Sequence, residues 1–202
     1  KGDFATQSGQ RCYPLTVLDD HSRFNLVLDA AANQRTATVQ AALTAAFERY
    51  GLPEAILCDN GGPWVNVADG AGHTPLTVWL LRLGVRVLHG RPYHPQTQGK
   101  EERFHRTLNR ELLRRHTWRD LAHCAEQFPR FRDRYNQERP HDALQGDTPV
   151  SRYRHSVRPL PTHLPEPQYS QMEVRTVRAK GVITFRNQTW AIGEAFASLP
   201  IG

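Results

Sequence analysis

The order in which apolar periodicities follow one another along this chain leaves few architectures open. Residues 11–19 (RCYPLTVLD) put Tyr13, Leu15 and Val17 on one face, and residues 24–28 (FNLVL) follow after the short polar link DDHSR. Alternation over such short runs predicts two antiparallel strands with a tight connection. Phe4 reads as the end of a preceding strand, with residues 6–9 (TQSG) as its turn. The period then changes. Val39, Ala42, Leu43, Ala46, Phe47 and Tyr50 recur at helical spacing, and Gly51 with Pro53 stops the helix. Residues 55–58 (AILC) are continuously apolar and end at Asp59, which predicts a strand buried on both faces. A short helix over 76–83 and a second buried strand over 85–88 continue the alternation. Beyond a loop at 91–99 lies a long helix at 100–116. A second helix at 118–136 is expected to bend or break near Pro129. The order β-β-β-α-β-α-β-α-α predicts an α/β fold with a mixed sheet, an antiparallel meander joined to parallel strands, flanked by helices.

The remainder is of another kind. Residues 140–167 are rich in proline and histidine and read as a linker with one short turn. From 171 onward MEVRTV, VITF and TWAI are short strands separated by AKG and RNQ turns. The expected organisation is a core at 1–155, a linker at 156–170 and the start of a small β-module at 171–202. A first residue other than methionine and an end in mid-pattern suggest a fragment of something longer.

Composition narrows the partners. The 202 residues carry a formal net charge of +6, which suits a polyanion whose counterions Lys and Arg can displace. Cys12, Cys58 and Cys124 are odd in number and far apart, so neither a disulfide framework nor a cysteine-rich zinc site is expected, and a reducing compartment fits. No apolar run approaches the ~20 residues of a membrane span, and no signal peptide opens the chain. No Gly-x-Ser-x-Gly or Walker loop supports covalent catalysis or nucleotide hydrolysis.

Two carboxylates stand where chemistry could be done. Asp59 ends a strand and is followed by Asn60-Gly61-Gly62, a setting that suits a cation or phosphate but equally an ordinary Asp-Asn-Gly turn. Glu102 lies in the first turn of the long helix. It projects between an apolar stripe (Phe104, Leu108, Leu112) and a basic one (Arg103, Arg106, Arg110, Arg114). The helix macrodipole alone would favour an acid there, and Glu101 shares that explanation. Carboxylates distant in sequence but convergent in space are how hard cations such as Mg²⁺ are held for in-line displacement at phosphorus. Residues 99–139 contain eleven Lys and Arg against seven Asp and Glu, a basic stretch suited to a phosphate backbone.

The ordered motifs are more specific. They are Leu18-Asp19-Asp20-His21-Ser22-Arg23-Phe24, then Cys58-Asp59-Asn60-Gly61, then His94-Pro95-Gln96-Thr97-Gln98-Gly99-Lys100-Glu101-Glu102-Arg103-Phe104-His105-Arg106-Thr107-Leu108. Tyr135-Asn136, Arg139-Pro140-His141, Ala143-Leu144 and Thr148-Pro149 follow. Together, over about residues 1–153, they closely resemble the integrase core of bacterial insertion-sequence transposases. The resemblance implies a ribonuclease-H-like fold and a D-D-E triad that binds two Mg²⁺ or Mn²⁺ ions. Asp59 matches the second Asp, and Glu102 rather than Glu101 matches the Glu. Forty-two residues lie between them, more than is common in retroviral members, and the excess is assigned to the glycine-rich loop at 61–72. The first Asp of similar transposases lies in a Trp-Gln-x-Asp-Phe-Lys-Gly strand, which puts it two residues before Lys1. Asp3 is the only rival. It stands four residues further on, ~13 Å along a strand and too far to share an ion with that position.

What the resemblance implies for function is metal-dependent nicking at transposon 3′ ends and strand transfer into double-stranded target DNA. It also implies a homodimer or larger assembly in the bacterial cytoplasm, associated with the nucleoid. His94, Gln96, Thr97, Gln98, Lys100, Arg103, Arg106 and Arg110 are the expected DNA contacts. Trp64 could stack on an unpaired base or pack on the domain. Arg175, Arg178, Lys180 and Arg186 could form a second surface for DNA or assembly. Asp19 and Asp20 read as turn-forming. The competing readings are a non-catalytic DNA-binding or assembly module and a simple nuclease of the same fold.

Overall fold

An antiparallel sheet organises the first part of the chain. It is seen in a computed structural model that describes residues 2–65, 72–90 and 99–202. Strands β1 (Phe4–Ala5), β2 (Arg11–Leu18) and β3 (Asn25–Ala31) lie in the order β1-β2-β3. Phe4 pairs with Cys12 and Thr16 with Leu28, and the register shifts at Val17/Leu18. The Asp19 carboxylate accepts the Ser22 N–H (2.7 Å) and hydroxyl (2.6 Å), so Asp19 closes the β2–β3 turn as expected. This sheet belongs to one of two compact units, Lys1–Gly51 with Arg91–Val157. The other comprises Leu52–Gly90 with Arg158–Gly202.

Helices cover both faces of the three-stranded sheet. On one face Cys12 and Leu28 meet Phe104 and Leu108 of α3 (Gly99–Glu111) and Phe128 and Tyr135 of α4 (Leu121–Gln137). On the other, Phe24 and Val27 meet Ala46 and Tyr50 of α1 (Thr36–Tyr50), which ends at Gly51 in a positive-φ conformation (81°) that glycine tolerates. Burial of each such large side chain is worth about 1.5–3 kcal/mol. Asn136 joins the layers. Its side chain accepts the Asn25 N–H (2.8 Å) and donates to the Asn25 carbonyl (3.0 Å), so it stands in for a strand on a fully buried residue.

Several boundaries differ from the sequence reading. Helix α4 starts at Leu121 rather than 118 because Asp120 caps it, accepting the His123 N–H at 2.7 Å. Trp118 packs in the core instead, donating its indole N–H to the Leu113 carbonyl at 3.0 Å. Pro129 lies inside α4 without interrupting it. Helix α3 ends at Glu111, and a separate 3₁₀ turn, Leu113–Arg115, takes up the end of the expected span. Residues 140–153 are packed rather than linking: Leu144 and Pro149 are buried, and Tyr153 stacks on Phe24 at 4.3 Å. The prolines that suggest a linker include Pro149, which opens the short helix α5 (Pro149–Arg152), where a missing N–H costs nothing.

The second unit contains a β-α-β crossover. Strands β4 (Ala55–Cys58) and β5 (Arg86–His89) are parallel, with Leu57 opposite Leu88, and α2 (Pro75–Arg82) connects them. Thr74 and Thr77 form a reciprocal capping box at the start of α2. Burial of β4 and β5 on both faces is not observed: Leu57 is 43% exposed and Leu88 46%. A two-stranded sheet with one crossover helix has one face covered, and this facing pair lies on the open side. The later segment is tied in by Arg158, whose guanidinium donates to the carbonyls of Pro53 (2.9 Å), Leu83 (3.0 Å) and Gly84 (3.0 Å).

The last residues form two small antiparallel pairs. Strand β6 (Arg175–Thr176) pairs with β9 (Pro200–Ile201), and β7 (Val182–Phe185) pairs with β8 (Gln188–Ala191). Arg186 (φ 49°) and Asn187 (φ 59°) form the two-residue turn between β7 and β8, both with the positive φ that such hairpins require. Strand β9 has no counterpart in the sequence reading; at two residues it is too short to show a period.

Candidate active-site carboxylates

The first turn of α3 presents two adjacent acids with different surroundings. Glu101 is engaged: its Oε1 accepts the Thr16 hydroxyl of β2 at 2.5 Å and lies 3.3 Å from His105 Nε2. His105 Nε2 is itself 2.8 Å from the Thr16 hydroxyl. A three-residue clasp therefore fixes the start of α3 against the sheet. Glu102, one residue on, is exposed and makes no hydrogen bond or ion pair among the described residues. Sequence reasoning did not find Thr16. The available signal was parity, because Thr16 shares a strand face with Cys12, which packs under α3.

Asp59 follows the last residue of β4 and is exposed. Its Oδ1 accepts the Gly61 N–H at 3.0 Å, so the carboxylate is held by its own turn. A Cβ at Gly61 would stand 3.3 Å from that oxygen, and the small residue keeps the space open. Cys58 is buried beside it, and burial, then the neighbouring Asp59 charge, pushes its thiol up to about 12. Cys58 is thus a packed, protonated thiol and no nucleophile. Asp59 belongs to the second unit and Glu102 to the first.

Asp3 is paired with Arg11, whose hydrogen bond holds the carboxyl below its usual range. Among the described residues no three of His, Cys, Asp and Glu gather in a group that could hold a metal ion. Glu102 offers two uncommitted carboxylate oxygens and Asp59 two of which one is engaged by its own turn; each is the kind of oxygen donor that a hard divalent cation takes.

The expected DNA contacts divide. His94, Gln96, Thr97 and Gln98 lie outside the described residues. Arg103 and Arg106 are exposed and unpaired among the described residues. Lys100 bonds the Asp20 carboxylate at 2.5 Å. Arg110 donates to Glu111 at 2.9 Å, and Arg139 reaches the same carboxylate at 2.6 Å. Burial alone would raise the Glu111 pKa, but these two guanidiniums together bring it below its usual value. Trp64 is half-buried, and its backbone N–H donates to the Gly61 carbonyl at 2.9 Å. In the last residues Arg175 pairs with Glu173 at 2.7 Å, while Arg178 and Lys180 are exposed.

Residues 1–95 match one family model described as an integrase core domain, and residues 83–149 match a second with the same description. Between them the two matches span residues 1–149, and over that span the chain matches integrase core domains. This integrase core is similar to an uncharacterized 31.7 kDa protein of insertion element IS407 from Burkholderia multivorans, 29% identical over 142 residues, which are 69% of this chain and 48% of that protein. It is also similar to an uncharacterized 39.2 kDa protein of insertion element IS476 from Xanthomonas euvesicatoria, 27% identical over 139 residues, 69% of this chain and 38% of that protein. The chain thus spans about half or less of the length of these curated relatives.

Among solved structures, the catalytic core domain of BIV integrase matches with a TM-score of 0.52 at 19% identity, over 74% of this chain and 88% of that one. A chain of the simian T-cell lymphotropic virus intasome, solved in complex with PP2A regulatory subunit B56 gamma, matches with a TM-score of 0.60 at 13% identity, over 100% of this chain and 76% of that one. The expected ribonuclease-H-like mixed α/β fold is therefore observed. The family is one of polynucleotidyl transferases that generally use divalent metal ions. No described helix is long and apolar enough to cross a membrane.

Proposed function

We propose that this integrase core is the catalytic part of an insertion-sequence transposase that nicks DNA at the 3′ ends of its element and joins those ends to target DNA. Water breaks the P–O3′ bond at the transposon end and leaves a 3′-hydroxyl. That oxygen then attacks a target phosphorus, forming one P–O3′ bond as another breaks, with no protein–DNA covalent intermediate. Asp59 and Glu102 serve as metal ligands together with an Asp two residues upstream of Lys1. Bound Mg²⁺ or Mn²⁺, two ions with the triad complete, would activate the attacking oxygen and neutralise charge on the leaving one. Lys100, Arg103, Arg106 and Arg110, with His94, Gln96, Thr97 and Gln98, grip the phosphate backbone.

The observation that carries this reading is the contrast in the first turn of α3: Glu101 is spent on Thr16 and His105, while Glu102 is left free. On this reading residues 1–155 form the catalytic core and 156–170 link it to a small β-module starting at 171. There Arg175, Arg178, Lys180 and Arg186 offer a further DNA or assembly surface. Two transposon ends must be handled together, so a homodimer or larger assembly acts, on the nucleoid in the bacterial cytoplasm.

The test is a Mg²⁺-dependent assay with transposon-end and target duplexes, on a chain extended at its amino end. Joined product is the expected result. Cutting without joining would make it a nuclease, and binding without chemistry a DNA-binding or assembly module. Glu102→Gln should abolish chemistry and spare DNA binding; normal activity in that variant would overturn the assignment.

A further inference from the structure

A cleft of about 390 Å³ opens in the first unit, lined by the β2–β3 connection, the start of α3 and the turn before α5. Arg23, Lys100 and Arg152 are cations in its wall, and Asp20 is its one carboxylate. Among the described residues the acids that hold the Lys100 and Arg152 charges are exposed, Asp20 at 2.5 Å and Asp147 at 2.7 Å, and Lys100 also donates to the Asp20 carbonyl at 3.0 Å. Such surface pairs exchange readily for a stronger anion. Arg23 has no carboxylate partner among the described residues; its guanidinium donates to the backbone carbonyls of Asp20 and His21. Arg23 (φ 64°) and Gln145 (φ 59°) are the two non-glycine residues with positive φ among the described residues of this unit, and both line the cleft. Unusual backbone held by its surroundings concentrates at ligand sites. The positive field is felt by a neighbour: burial first, then the charges of Arg139 and Arg23, keep the His141 imidazole below its usual range.

We propose that this cleft seats a backbone phosphate of bound DNA, with Arg23 as its fixed donor and Lys100 and Arg152 turning from their carboxylates toward it. The inference rests on the DNA reading above and deepens it. Lys100 stands two residues before Glu102, so a phosphate held here sets the register of the strand presented to α3. The contact reads backbone rather than base, and so is indifferent to sequence.

The test is the salt dependence of duplex binding by the full chain, followed by fluorescence anisotropy in EDTA so that no cutting intervenes. Arg152→Gln should lower the slope of log K against log salt by about 0.9, the loss of one phosphate contact. Gln145→Glu, which sets a negative charge in the cleft, should weaken binding to unrelated duplexes alike. Arg130→Gln removes a cation paired with Glu126 outside the cleft and should leave the slope unchanged. Thermal melts confirm that each variant folds. If the unaltered chain binds duplex and both cleft variants bind with its slope and affinity, the cleft proposal is overturned while the DNA reading stands. Failure of the unaltered chain to bind duplex DNA at all would overturn both.

Discussion

Replacing Glu101 and Glu102 separately by alanine should split stability from chemistry. Both acids lie in the first turn of α3, so each variant loses the same favourable interaction with the helix dipole, about 0.3–1 kcal/mol, which cancels in the comparison. What remains differs. Glu101→Ala removes an acceptor held 2.5 Å from the Thr16 hydroxyl, together with the His105 contact at 3.3 Å. Hydrogen bonds to a charged group contribute about 1.5–3 kcal/mol, and the Glu101 side chain is 30% exposed, which reduces the expected difference to about 1–2 kcal/mol. For a chain of this size that is a Tm difference of about 2–8 °C. Glu102→Ala removes no partner among the described residues, so beyond the shared dipole loss its melt should shift little, within about 0.5 kcal/mol. In a Mg²⁺-dependent strand-transfer assay run well below both melting points the order should reverse. Glu102→Ala should lose at least about 10³-fold in rate, equivalent to about 4 kcal/mol of transition-state stabilisation, and Glu101→Ala far less. Equal melting of the two variants would show that the clasp carries no weight. Activity in Glu102→Ala with none in Glu101→Ala would reverse the catalytic assignment.

Asn136→Leu leaves the buried N–H and carbonyl of Asn25 without their partner at about 1–3 kcal/mol each, so urea unfolding should show a loss of at least about 2 kcal/mol; less than 1 would refute the bridging role. His141 has a folded pKa below its usual 6.5, chiefly through burial, so the unfolded state takes up the proton more readily. Its contribution to stability is therefore fully present above about pH 6.5 and lost as pH falls below it. Melting between pH 7.5 and 5.5 should show a steeper loss in the unaltered chain than in His141→Phe, and identical profiles would count against the buried neutral imidazole. Gly181→Ala would drive a Cβ into the backbone of Gly193 and Glu194 at a φ of 69°. Hydrogen exchange should then report loss of protection in β7 and β8 with α3 and α4 unaffected, and unchanged protection would mean that the approach of these two backbones is looser than it stands.

Much of the fold was legible because its signals are local. The period-two run at β2, the helical spacing of α1 and the Arg-Asn turn between β7 and β8 each carry their own physics. Boundaries were lost where one residue overrode a pattern. Asp120 moved the start of α4 by capping, and Pro149 nucleated a helix within a stretch whose composition suggested a linker. Burial of β4 and β5 was misread for a different reason: a run such as AILC shows that side chains could be buried, not whether a second layer lies against them. At the candidate site the sequence could name Glu101 and Glu102 but not tell them apart physically, since both suit a helix start. The difference lies in Thr16, eighty-five residues away from Glu101; strand parity could put Thr16 on the face of Cys12 but could not say which acid it meets.

Pairing itself separates the acids of this basic stretch. Between Gly99 and Arg139, Glu111 is held by Arg110 and Arg139, Glu126 by Arg130, and Asp133 lies 3.7 Å from Arg132. Asp120 caps α4, and Glu101 is clasped by Thr16 and His105. Glu102 and Glu138 are the two whose side chains have no partner among the described residues. Glu138 sits at the carboxyl end of α4, where the dipole disfavours an anion and solvent is its natural counterpart. Glu102 sits at an amino end, beside Arg103 and a helix rich in cations, yet remains uncommitted. With eleven Lys and Arg in this stretch against seven acids, a free carboxylate is not explained by any shortage of cations. Keeping it free has a use if its partner arrives from outside the chain, and a divalent cation brought with DNA is such a partner, since the basic side chains nearby can then be spent on phosphates.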